Sequence, residues 1–355
     1  MGGAWLTGGL EAIAAETGWD PASAEYVVGT SAGSMMSALL ASGVPPWFMV
    51  AHSAGDSFEG LYGADGRPAA DADRAAGATF RLHPGPPPMG PGSWKLIGNS
   101  LSSPMSHRFT ALFAGWLPRG FISTEPLKET IRHVVPEGWA DHPNLWIVAS
   151  DYATGRRVAF GREDAPDADL ADAVAASCAI PGFYHPQTID GRRYVDGGLW
   201  STSNLDILRN ERLDLVICLN PTSSLHPTHA WNPAERIAAA TRGMSGKLLG
   251  SEAKKLRAKG TGVVLIQPTS EDLAAMGPNL MSRGNRNPVI QTAIRTVGAQ
   301  LREPGNRELL EGLPAGNPYR VRRPDGPPST WPADLLPGFA GSSAGARAAA
   351  NAASA

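Results

Sequence analysis

Tyr26-Val27-Val28-Gly29-Thr30-Ser31-Ala32-Gly33-Ser34-Met35-Met36-Ser37-Ala38-Leu39-Leu40 runs from an apolar stretch through a Gly-x-Ser-x-Gly pentapeptide into a run of helix formers. That order predicts a strand over Glu25–Val28, a sharp turn at Ser31 and a helix over Gly33–Ser42. A serine on such a turn points its hydroxyl away from the backbone, and Gly29 and Gly33 remove the side chains that would crowd it. The helix start at Ala32 offers free backbone N–H groups and a positive dipole end to a developing oxyanion. The spelling alone is weak: with 41 glycines in the chain, chance supplies about 0.3 copies. Gly341-Ser342-Ser343-Ala344-Gly345 is a second copy. No strand precedes it and it lies in an Ala/Gly/Ser tail, so Ser343 is a coincidence and Ser31 the candidate nucleophile. A Gly/Ser turn that merely caps a helix is the plain alternative for Ser31.

Outward from this turn, strands alternate with helices. A helix is expected over Leu10–Thr17, closed by Gly18. Ser123 and Thr124 are candidate caps, with Pro126 in the first turn, for a helix to Val135. Leu145–Ser150 and Arg157–Phe160 read as strands around the Ala153-Thr154-Gly155 turn. Leu170–Ser177 reads as a helix stopped before Pro181, and Arg193–Val195 as a short strand. Leu213–Leu219 and Val263–Gln267 read as buried strands of parallel type. Pro233–Lys259 reads as a long helical stretch interrupted near Gly243 and Gly246, its basic end a solvated face, and Pro288–Leu301 as a final helix. Such alternation predicts an α/β layer fold with a mostly parallel sheet. Residues 44–120 are irregular, apolar and turn-rich, with scattered Trp47, Trp94 and Trp116, the composition of a lid or binding loop. One domain is expected over 1–312 and a disordered Ala/Gly/Pro-rich tail over 313–355.

Composition narrows the function classes. The 355 residues are 42% hydrophobic with a net charge of −2, which gives no electrostatic case for nucleic acid. Two cysteines exclude a disulfide scaffold. Cys178 has no metal-ligand spacing, and Cys218 in Leu215–Leu219 reads as a small core residue. No metal or other cofactor is implied. No run reaches membrane-spanning length, and the first residues lack a signal-peptide pattern. The expectation is a cytoplasmic protein whose membrane contact, if made, is peripheral through exposed apolar loop residues.

A serine hydroxyl needs a base. None of the eight histidines sits in a strong motif; His226 and His229 follow a strand end and allow a Ser-His-Asp esterase, although a surface loop is the plainer reading. The other candidate is Asp196, in Tyr194-Val195-Asp196-Gly197-Gly198 at the end of a short strand. Open α/β sheets place their sites at strand ends, and Gly197 and Gly198 let the backbone turn beside the carboxylate. An ordinary Asp-Gly turn is the alternative. Asp151, before a turn, reads as a structural Asx residue.

Gly-Thr-Ser-Ala-Gly-Ser around Ser31 and Val-Asp-Gly-Gly around Asp196 together resemble the patatin-like phospholipase family. The stretches Ala175–Phe183 and Thr188–Gly198 are similar to the family's segments before and through its Asp-Gly-Gly, in register from Gly2 to about Leu219. The resemblance implies a three-layer α/β/α sandwich with a mostly parallel central sheet. It also implies a Ser–Asp dyad without histidine: Ser31 would attack an ester carbonyl to give an acyl-enzyme, and Asp196 would take the proton and then assist water. Lipid acyl esters, often phospholipids, would be the substrates, and residues 44–120 either the acyl-binding and lid region or ordinary core cover.

One departure stands out. The family's oxyanion hole is a Gly-Gly-Gly-x-x-Gly loop after its first strand. Gly2-Gly3-Ala4-Trp5-Leu6-Thr7-Gly8-Gly9-Leu10 resembles the end of that loop and the helix that follows, so the resemblance offers Gly2 and Gly3, with Ala32, as oxyanion residues. The preceding glycines and the first strand have no counterpart. Intact Ser31 and Asp196 motifs lead to the expectation of a true start roughly 10–15 residues upstream, about a strand and a turn; a catalytically impaired lipid-binding or scaffold protein is the rival.

Overall fold

Every residue of Leu145–Asp151 is buried, and this run of apolar and small side chains forms the strand, β2, around which the residues near Ser31 are organised. The computed structural model describes residues 1–54, 81–84, 89–102, 109–224, 233–277 and 286–323. They divide into two compact units, each assembled from separate stretches of chain, where the sequence suggests a single domain. The first unit holds residues 1–23, 45–54 and 201–323; the second holds 24–44 and the described residues between 81 and 200.

In the second unit, β1 (Val27–Thr30) pairs parallel with β2. β3 (Arg157–Phe160) and β5 (Arg192–Asp196) pair antiparallel with β2, and β4 (Gln187–Ile189) pairs antiparallel with β5. Residues 147–148 pair with both β1 and β3, and residues 149–150 with both β3 and β5. A strand has two edges, so β1 and β5 lie end to end along one edge of β2 and β3 takes the other. The sheet is therefore mixed, within the α/β class that the alternation predicts. A helix at Ala32–Ala41 packs on β1 and β2, and a helix at Leu170–Ser177, buried except at Asp172, packs on β2, β4 and β5.

In the first unit, α1 covers Gly2–Thr17 and packs closely along the helix Arg286–Leu301. α1 starts at Gly2, eight residues before the expected Leu10. The glycines that suggest a loop are the reason the helices can meet: a β-carbon at Gly8 would lie 2.5 Å from the Ile290 carbonyl oxygen and 2.8 Å from Ala293 Cβ. Close packing outweighs the low helix propensity of glycine. β6 (Leu215–Leu219) and β7 (Gly262–Ile266) pair parallel. Only Val216 of β6 is fully buried, so this strand is half-covered rather than the buried strand expected.

In chain order the remaining helices are α2 (Ala32–Ala41), α3 (Pro46–Ala54), α4 (Trp94–Ser102), α5 (Phe109–Trp116), α6 (Glu125–Arg132), α7 (Leu170–Ser177), α8 (Pro233–Arg257), α9 (Ser270–Met276), α10 (Arg286–Leu301), α11 (Pro304–Leu310) and α12 (Pro318–Val321). Three of them correct the expectation of an irregular stretch at 44–120: α3 buries Trp47 and Phe48, and α4 and α5 pack on each other. α8 runs unbroken through Gly243 and Gly246. A glycine costs only about 1 kcal/mol in a helix, and α8 is anchored by fully buried Leu249, Ala253 and Leu256. Its Glu252 is not solvated but buried, accepting from Ser203 Oγ at 2.7 Å and Leu205 N at 3.0 Å.

Residues 316–320, expected to lie in a disordered tail, are held by contacts within the first unit. Gly316 N donates to the Gly18 carbonyl at 2.8 Å, the Tyr319 carbonyl accepts from Trp47 Nε1 at 2.9 Å, and Arg320 pairs with Asp20. Residues 324–355 lie outside the described set. The packing of α1 on α10 gives a direct test. Gly8→Ala is expected to destabilise by about 1–3 kcal/mol through overpacking, read as a lower urea midpoint with an unchanged slope.

Candidate functional site

Ser31 sits between β1 and α2 at φ 53°, ψ −125°, a conformation that costs a non-glycine residue about 1–3 kcal/mol and persists only when its surroundings hold it. They do so through both backbone polar groups. Ser31 N–H donates to Ser177 Oγ at 2.9 Å, and Ser177 Oγ donates in turn to the Val148 carbonyl at 2.6 Å. The Ser31 carbonyl accepts from Ser34 Oγ at 2.6 Å, from Ser34 N at 2.8 Å and from Cys178 Sγ at 3.2 Å. Ser34, Ser177 and Cys178 are thus positioning residues that the pentapeptide does not announce. The only hint in the sequence is that Ser177 and Cys178 fall in the Ala175–Phe183 segment.

The glycines differ in what they do. A β-carbon at Gly29 would lie 2.5 Å from Ser34 Cα, so glycine there lets the strand and helix meet. Nothing lies within 4 Å of a β-carbon at Gly33, so relief of crowding by the protein does not explain that glycine. A β-carbon at Gly197 would collide with the Val148 carbonyl and reach Thr30 Cγ2 at 3.1 Å, and one at Gly198 would lie 2.9 Å from Asp196 Oδ1.

Strand register brings Asp196 to the serine. Thr30 stands opposite Val148 and Asp196 opposite Ala149, the next residue of β2. Because β1 and β5 share an edge, the two chain ends meet one strand step apart, about 3.3 Å along β2. Asp196 is buried, 6% exposed. Its N–H donates to the Ala179 carbonyl at 3.0 Å, and Oδ1 accepts from Gly198 N at 2.7 Å. Burial pushes its carboxyl up from 3.8 to about 6, while the nearby Ser31 hydroxyl and then the Gly198 N–H pull the other way. Burial, then the negative charge of Asp196, pushes the Cys178 thiol up to about 12 against an opposing hydrogen bond with Ser34. Cys178 therefore serves as a neutral S–H donor.

Ala32 is the first residue of α2, where backbone N–H groups have no partner within the helix. Gly2 and Gly3 stand in the first turn of α1, in the first unit. Asp151 is a turn residue: Oδ1 accepts from Ala153 N and Thr154 N, both at 2.8 Å, and Oδ2 pairs with Arg192 at 3.4 Å. His226, His229 and Ser343 lie outside the described residues. Among the described residues no three His, Cys, Asp or Glu side chains gather as a metal site, and no helix is long and apolar enough to cross a membrane.

Ser177 carries the sharpest structural test. Ser177→Ala leaves the Ser31 N–H without its acceptor and is expected to destabilise by about 1–3 kcal/mol, measured by urea unfolding. The family model described as patatin-like phospholipase matches residues 1–209.

Proposed function

Because the chain belongs to the patatin-like phospholipase family, a family of lipid acyl hydrolases, we propose that it is a serine carboxylic-ester hydrolase working through a Ser31–Asp196 dyad. The observation that carries this reading is the meeting of the two residues at adjacent positions of one β2 edge, with the carboxylate buried beside the hydroxyl.

In the first step Ser31 Oγ attacks the acyl carbonyl carbon and its proton passes to Asp196. The carbonyl oxygen becomes an oxyanion, and the Ala32 N–H at the start of α2 is proposed as one donor to it. The intermediate collapses, the C–O bond to the alcohol or lysolipid breaks, and the leaving oxygen takes the proton from Asp196. Water then attacks the acyl-enzyme, giving its proton to Asp196. The second intermediate releases the fatty acid, and Ser31 Oγ recovers the proton.

A carboxyl near 6 suits both halves of this cycle better than one near 3.8, since it accepts from the nucleophile and returns the proton to the leaving group with less mismatch. Asp196 must be ionised to start, so turnover of a soluble ester is expected to fall as pH drops through about 6. A pH–rate profile of kcat/KM checks this, and an acid limb near 4 would contradict it. A fluorophosphonate probe is expected to label the parent protein and not Ser31→Ala; equal labelling would remove Ser31 from the role.

Asp196 also makes a stability prediction. Its folded value of about 6 lies above the unfolded 3.8. Stability therefore falls as pH rises between those values. The difference between the two values is worth roughly 3 kcal/mol. Asp196→Asn is expected to melt above the parent near pH 8, to lose that advantage toward about pH 4, and to abolish ester turnover. Retained turnover would move the base to a histidine.

A further inference from the structure

The stretch Ala75–Thr124 carries Arg81, Lys95, Arg108 and Arg119 and not one Asp or Glu. Its described part also carries exposed aromatic side chains. Trp94 begins α4 and Trp116 ends α5; the rings meet edge-on with centroids 6.1 Å apart, yet they remain 67% and 54% exposed. Leu101, Phe113 and Phe121 are each more than half exposed as well. The opposite side of α4 is the packed one, with Leu96 buried against Tyr152 and Val195. The exposed apolar groups are therefore not a failed core face. They stand outside a core that is already filled.

Basic groups accompany them. Lys95 and Arg119 are exposed. Arg193, on β5, lies with its guanidinium 5.9 Å from the centroid of the Tyr152 ring. The His83 and His185 rings stack with centroids 3.7 Å apart. Among the described residues no carboxylate pairs with Lys95, Arg119 or Arg193. These groups bear on one another: burial, then His83, then Arg119 and Arg193 hold His185 below its ordinary value, against a backbone hydrogen bond at Gly120. The two guanidiniums of Arg119 and Arg193, which meet no carboxylate among the described residues, form a site of positive potential that an anion would relieve.

We propose that this face, the exposed sides of α4 and α5 with Arg119 and Arg193, is a docking surface for a bilayer bearing anionic phospholipid. Tryptophan is the side chain best suited to the headgroup boundary, because its ring is apolar and its N–H polar. Basic residues beside it meet the phosphates, each contributing about a fivefold gain in partition near an anionic surface. Apolar area and positive charge on one helical hairpin together make an interfacial contact, where either alone is weak. A soluble anion would satisfy the cations and leave the tryptophans exposed. A bilayer satisfies both.

The inference is independent of which bond Ser31 cleaves, so the test uses the full chain carrying Ser31→Ala, which reads binding without hydrolysis. Flotation is measured with vesicles of phosphatidylcholine alone and of phosphatidylcholine mixed with phosphatidylglycerol. The protein is expected to partition onto the mixed vesicles and to be released as salt rises. Arg119→Gln is expected to weaken that partition about fivefold, and Trp94→Ala with Trp116→Ala by roughly tenfold or more. All three positions are exposed, and unchanged melting temperatures confirm the fold. Equal binding to both vesicle types, or variants that bind like the parent, would overturn the proposal. So would release by inorganic phosphate at matched ionic strength, which would mark a soluble-anion site instead.

Discussion

Both backbone polar groups of Ser31 are held by side chains from α2 and the end of α7, and that grip keeps a residue with a β-carbon at φ 53°. Ser177 ties three elements through one hydroxyl. It accepts from Ser31 N–H and donates to the Val148 carbonyl, so α7, the turn after β1 and the centre of β2 share a single hydrogen-bonded link. Cys178 completes the grip on the carbonyl side, and it can do so only while protonated. Burial beside Asp196 secures that by pushing its thiol to about 12. The strain at Ser31 is thus balanced by Ser34, just past the pentapeptide, and by contacts from residues 146 and 147 positions away.

β2 converts this local grip into a site. Its edge is divided between β1, which runs parallel and leaves at Thr30, and β5, which arrives antiparallel and ends at Asp196. Neither strand can extend without meeting the other, so both chains must turn off at the same place. Ser31 turns into α2. Asp196 turns into Gly197, which crosses the Val148 carbonyl so closely that no side chain would fit. The glycine after the aspartate is therefore a packing requirement of the shared edge, and the proximity of hydroxyl and carboxyl follows from strand register.

The elements that the sequence predicts best are those whose local signals agree with their packing. The helix Leu170–Ser177 has the predicted bounds, and β3 does too. The strand, turn and helix around Ser31 shift by one or two residues. The misreadings come where tertiary contact overrides local pattern. Gly2, Gly3, Gly8 and Gly9 look like a loop, but α1 uses small residues to approach α10. Gly243 and Gly246 look like breaks, but α8 is held by its buried leucines. Pro318–Val321 looks like tail, but the Trp47 and Asp20 contacts that fasten it are some 270 to 300 residues away in sequence. At the site, Ser31 and Asp196 stand out because glycines flank them. Ser177 and Cys178 do not, because a hydroxyl and a thiol inside an alanine-rich helix end look like ordinary small core residues until the turn that they support is in view.

For the proposed dyad, a carboxylate without an imidazole would have to solve one problem, which is that aspartate in water is too weak a base for a serine hydroxyl. Burial offers an answer. Removing water disfavours the charged form and lifts Asp196 to about 6, but too much removal would leave it neutral at working pH. The Gly198 N–H and the Ser31 hydroxyl oppose the lift and keep the carboxylate accessible. The neutral Cys178 matters for the same balance. A thiolate there would add a second negative charge next to Asp196, raise the carboxyl further and release the Ser31 carbonyl it now holds. The same burial that raises the Asp196 carboxyl thus keeps Cys178 a donor, so one environment sets the carboxyl and preserves the serine's geometry.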